Sequence, residues 1–211
     1  MLLVSVVSYT QSHTIECDST KLTFDKAHVD YLKSLIERAQ TAQGEDKARI
    51  EQQFFCATPD TFIGMLDLID LESTLVYNEY KSRGNIPPPI EMIHPFVAFY
   101  SKIQSVAPES YYNKYIDFCW DGDYMADHIY AGFQIYERLE SDTETFCNIL
   151  LKRKDHEIKG VFHFIFDTSH PDNEFNRDIY NRLYPLINNH SQKLGRFFKE
   201  SLENLIKTRR H

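Results

Sequence analysis

Glycine is scarce in this chain, with seven in 211 residues, and tryptophan occurs once. So few glycines leave little material for the tight hairpin turns of antiparallel sheets, which weighs against an all-β fold. Clustered Lys and Arg are also missing. The formal charge is −8, and only Lys152-Arg153-Lys154 and Lys207-Thr-Arg-Arg210 are locally basic. Phosphate contacts need such clusters, so no nucleic acid is expected as a partner, and the two runs read as solvated helix ends. No window reaches the roughly 18 apolar residues of a membrane span. There is no G-x-S-x-G elbow, no phosphate-cradling Gly-rich loop and no dinucleotide fingerprint, which removes the enzyme classes that depend on them. No cofactor is expected.

The four cysteines, Cys17, Cys56, Cys119 and Cys147, include no C-x-x-C pair, which argues against zinc and thioredoxin-like chemistry. In an exported protein they would form two disulfides in one of three connectivities. In a reducing compartment they would be small buried hydrophobes.

What the chain has in quantity is single-ring aromatics, thirteen Tyr and fifteen Phe, within a composition 42% hydrophobic and 26% charged. That composition belongs to a folded domain with a sizeable core. The densest aromatic run is Gly160-Val-Phe-His-Phe-Ile-Phe-Asp-Thr-Ser-His-Pro-Asp172. Its apolar residues leave no broad polar face, so burial on most sides is expected, and its polar end is the place where a site is sought.

Elsewhere the signals are helical. Ala27, Tyr31, Leu32, Leu35, Ile36 and Ala39 keep i, i+3, i+4 spacing up to about Gly44, and a short helix is expected over Lys47–Cys56. Thr58-Pro59 reads as an N-cap and a proline at N1, opening a helix through Phe62, Met65 and Ile69, with a further helix over Glu72–Lys81. Gly84-Asn-Ile-Pro-Pro-Pro89 reads as a stiff spacer and a possible subdomain seam. Ile90–Ile103 resumes helical spacing with a break near His94-Pro95. Pro108 opens the next helix, Trp120-Asp-Gly-Asp123 reads as a turn, and Tyr124–Leu139 as a long amphipathic helix. Ser141 and Glu144 form a capping box. Pro171 begins a helix stopping before Pro185, and the last helix starts near Ser191. The expected architecture is all-α, an irregular bundle of roughly eight to ten helices.

Leu2–Val7 is a short apolar run, with Ser8 and Thr10 placed as in a cleavage site before Gln11. Residues 1–14 therefore resemble the tail of a secretory signal, the competing reading being a first strand or a disordered tail. Export is expected, with residues 15–211 forming a single helical domain.

Two clusters are candidates for chemistry. If the aromatic helix persists to its end, His163, Asp167 and His170 share one face and supply ligand types for a transition metal. With Asp172, that set defines the alternative reading, a metal-dependent hydrolase. The preferred reading makes His163 a satisfied core histidine, because Pro171 turns His170 out of the helix. The second cluster is Asp117–His128. It fails as a calcium loop, since Cys119 and His128 stand where hard oxygen ligands are required. Asp121, Asp123, Asp127, Asp167, His170 and Asp172 together form the candidate binding set.

Trp120-Asp-Gly-Asp-Tyr-Met-Ala-Asp127 and Phe166-Asp-Thr-Ser-His-Pro171 resemble stretches in small exported helical bacterial proteins of unassigned function. A looser similarity is to immunity proteins that neutralise secreted toxins. Both resemblances imply a helical exported protein and neither implies a reaction. The expected function is accordingly non-enzymatic recognition of another protein. The acidic balance and the tyrosines at 77, 80, 111, 112, 115, 124 and 130 suit a basic partner, unless the tyrosines simply pack between helices.

Overall fold

The computed structural model describes Cys17, residues 23–86, 94–120, Gly122, 138–167 and 170–208. The protein is an all-α multi-helix bundle. Among the described residues there are nine helices: α1 Lys26–Thr41, α2 Gly44–Ala57, α3 Phe62–Ser82, α4 Pro95–Ser101, α5 Pro108–Cys119, α6 Thr143–Leu150, α7 Asp155–Phe166, α8 Glu174–His190 and α9 Gln192–Thr208. α1 packs on α2, α3 and α4, while α9 packs on α7 and α8, and α6 on α8. α5 touches α3, α6 and α7 and so joins the two groups. One continuous apolar core runs from Val29 in α1 to Leu205 in α9.

α5 can hold that position because it is buried around most of its circumference. Tyr111, Tyr112, Tyr115, Ile116, Phe118 and Cys119 are all buried. Toward α2 and α4, the Tyr111 ring stacks on Tyr100 at 5.1 Å, and Phe55 lies parallel to both. Toward α3 and α7, Phe118, Phe62 and Phe164 form a triangle of edge-on contacts of 5.8–6.2 Å. Burial raises the Tyr100, Tyr111, Tyr112 and Tyr115 hydroxyls well above their ordinary ionisation range. Tyr111 and Tyr112 are held as hydrogen-bond donors, to the Tyr100 carbonyl and the Asp142 carboxylate.

Lys114 is the buried cation of α5. Its ammonium donates to the carbonyls of Phe55 and Thr58, at 2.7 and 2.6 Å, and reaches Asp60 at 2.9 Å. It thereby satisfies carbonyls that the end of α2 leaves without intrahelical partners. Burial pulls the ammonium below its ordinary value, with Asp60 pulling the other way. On the far side of α1, Glu72 accepts from Lys33 at 2.5 Å and from His94 Nε2 at 3.1 Å. The other His94 ring nitrogen accepts from the Phe96 amide and caps α4. Burial opposes ionisation of Glu72, but the hydrogen bonds from His94 and Lys33 outweigh it and hold the carboxyl below its usual value.

Several expected boundaries move. Thr58 terminates α2, its hydroxyl donating to the Phe55 carbonyl, and α3 is capped three residues later by Thr61, which accepts from the Gly64 amide at 3.1 Å. α3 then runs unbroken through Glu72, so the two expected helices are one of 21 residues. Ser141 does not cap α6. Its hydroxyl donates back to the Arg138 carbonyl, and Asp142 precedes the helix. α8 starts at Glu174 behind an Asn173 cap and continues past Pro185, which is exposed inside it. Pro108 does open α5, Pro95 opens α4, and α9 begins beside Ser191 as expected. Residues 1–16, 87–93 and most of the Tyr124–Leu139 helix lie outside the described residues, as does the end of the 84–89 spacer.

Cysteine usage is mixed rather than all paired or all free. Cys17 and Cys56 form a disulfide, while Cys119 and Cys147 are buried free thiols. Burial pushes the Cys147 thiol up to about 12.

Candidate functional site

α7 stops at Phe166, and Asp167 leaves the helix in an extended conformation. A helix continuing to residue 170 was the condition for the metal face, and it is not met. His163 Nε2 stands 3.8 Å from Asp167 Oδ2, within ion-pair range but too long for a hydrogen bond. His170 lies in the turn before α8, where its carbonyl accepts from Asn173 at 2.6 Å. Asp172 receives the Arg177 guanidinium at 2.6 Å. Among the described residues, no three His, Cys, Asp or Glu side chains converge in a way that could hold a metal ion. Asp121, Asp123 and Asp127 lie outside the described residues.

His163 also departs from its expected place. Val161, Phe162, Phe164, Ile165 and Phe166 are buried as expected, but the His163 side chain is 48% exposed. The reason is helical geometry. Lys159 and His163 are one turn apart on the exposed face of α7. Only Asp167, below the last turn, is buried.

That face borders a pocket of about 370 Å³ between α7 and α9. Lys159, Gly160 and His163 line one wall, and Phe197, Glu200, Ser201 and Asn204 the other, with Trp120 and Gly122 completing the lining. Two glycines permit the close packing beside it. A Cβ on Gly160 would sit 2.0 Å from the Trp120 carbonyl oxygen, and one on Gly122 2.7 Å from the Phe164 ring. Only glycine lets the end of α5 come this close to α7. The Trp120 indole packs edge-on against His156 at 5.8 Å, and the Lys159 ammonium lies 4.7 Å from the Phe197 ring centre. Ser201 is 8% exposed.

A second surface stands apart from the pocket. Residues 51–80 contain Glu51, Asp60, Asp67, Asp70, Glu72 and Glu79 and no Lys, Arg or His. Glu51, Asp60, Glu72 and Glu79 are engaged within the protein, Glu51 by the Gln104 and Ser105 amides. Asp67 and Asp70 are exposed and make no ion pair among the described residues. They lie on the outward stripe of α3, Ile63, Asp67, Asp70, Thr74 and Tyr77, which spans about 21 Å at 1.5 Å per residue. Ile63 is 61% exposed and Tyr77 50%. Counting charge sign along the sequence would have revealed this stretch, because its signal is an absence of cations over thirty residues.

The tyrosines divide by face. Tyr111, Tyr112 and Tyr115 are core residues, whereas Tyr77 is exposed. Tyr124 and Tyr130 lie outside the described residues. Among the described residues no helix is long and apolar enough to cross a membrane. Comparison with known proteins finds no matching family model, no similar curated protein and no similar solved structure.

Proposed function

We propose that this is a non-enzymatic binding protein that recognises a basic protein partner through the outward stripe of α3. The observation that carries this reading is the pair Asp67 and Asp70, exposed and without ion pairs among the described residues, flanked by exposed Ile63 and Tyr77. Unpaired carboxylates steer a cationic surface toward the helix, and the two apolar side chains give it contact area to bury. Neutralisation of a basic secreted protein, the role suggested by the looser sequence resemblance, is one form this takes. The Cys17–Cys56 disulfide supports export, since such bonds persist in oxidising compartments.

The test is affinity capture from native lysate and from the secreted fraction, comparing wild type with Asp67→Lys/Asp70→Lys. One stoichiometric basic partner is expected, released by salt and absent from the charge-reversed bait. A partner held equally by both baits would place the interface elsewhere.

A further inference from the structure

We propose that the pocket between α7 and α9 is a site for a small zwitterion, a free α-amino acid with an apolar side chain. This goes beyond the α3 reading and does not depend on it. The two walls carry opposite charge. α7 offers the Lys159 ammonium and the His163 imidazole one turn apart, while α9 offers the Glu200 carboxylate, which Arg196 approaches only to 3.9 Å. A carboxylate on the α7 side and an ammonium on the α9 side would each meet an opposite charge or a donor. A ligand with one charge would engage only one of the two walls.

Between the walls, the Trp120 indole and the Phe197 ring offer an aromatic surface for an apolar side chain. The volume of about 370 Å³ lies at the small end of small-molecule sites, suited to an amino acid with some water. Ser201 also lines the pocket. Its hydroxyl adds a polar group to the α9 wall that a ligand's ammonium or carboxylate can reach.

Trp120 is the one tryptophan in the chain, so tryptophan emission, excited at the red edge where the thirteen tyrosines do not absorb, reports on this pocket. Wild-type protein is titrated with L-phenylalanine, L-leucine and L-methionine, and then with the methyl ester and the N-acetyl derivative of whichever binds. At least one of the three is expected to give a saturable change with Kd below about 1 mM. Removing either charge of the ligand should weaken binding at least about tenfold, the equivalent of 1.4 kcal/mol. Lys159→Met and Glu200→Gln should each do the same, while Lys152→Met, exposed and outside the lining, should not. No saturable change with any of the three overturns the proposal. Derivatives that bind as well as the free amino acid also overturn it, and that arm uses wild-type protein alone.

Discussion

Replacing Gly160 by alanine sets two physical effects of opposite sign against each other. Gly160 lies in the middle of α7, and alanine there improves intrinsic helix propensity by about 1 kcal/mol. On propensity alone the variant would be more stable. The added methyl, however, would stand 2.0 Å from the carbonyl oxygen of Trp120. The obstacle is backbone, so no rotamer change relieves it, and α5 and α7 must separate. Overpacking of this kind costs about 1–3 kcal/mol, and a clash with a main-chain oxygen belongs at the upper end. The net expectation is a loss of about 2 kcal/mol, or roughly 4–8 °C in Tm for a chain of this length. Thermal unfolding followed at 222 nm measures it, and a shifted Trp120 emission in the folded variant locates the strain. An unchanged or raised Tm would refute the close approach of α5 to α7, and with it the placing of Trp120 in the pocket lining.

Reduction of the Cys17–Cys56 bond opens a loop closed across 39 residues. Chain entropy puts its contribution at about 4 kcal/mol. Unfolded, unreduced protein should therefore titrate two thiols, Cys119 and Cys147, and a count of four would contradict the bond. Glu72 sets a pH dependence. Its folded pKa is depressed below the ordinary 4.5, so its contribution is complete above that value and is lost as pH falls through the folded pKa. Glu72→Gln should lower stability at pH 7 and flatten the loss between pH 5 and pH 3. An acid limb as steep as that of wild type would show that Glu72 does not titrate in this way.

The helical pattern was legible because its main signals are local. Leu32, Leu35 and Ala39 keep their period in α1, and Pro108 and Pro95 open helices where their missing amides do no harm. Two of the misplaced boundaries share a cause, since at Thr58-Pro59 and Pro185 tertiary packing overrode a local rule. Thr58-Pro59 has the right residue types for a helix start, but the Thr58 carbonyl is held by Lys114, 56 residues away, and the cap falls to Thr61. Pro185 does not stop α8 because Leu183 and Ile187 are buried on either side of it. Burying each contributes about 1.5–3 kcal/mol, against about 3 kcal/mol for an interior proline.

The sequence pointed to the α7 run, whose apolar character is obvious. α5 joins the two halves of the bundle with tyrosines and a lysine, residue types whose polarity does not by itself mark a buried helix. The site was legible in part. His163 was singled out as a core or metal residue, whereas it lines a pocket. Glu200, Ser201 and Trp120 join it only through the packing of α9 and the end of α5 on α7, which no local spacing encodes.

The decisive measurement is the association rate with the captured partner, taken for wild type and for Asp67→Lys/Asp70→Lys at low and at physiological salt. If the α3 stripe is the docking surface, charge reversal lowers the low-salt rate by about tenfold or more and removes most of its salt dependence. Equal rates and equal salt slopes for the two proteins would contradict it.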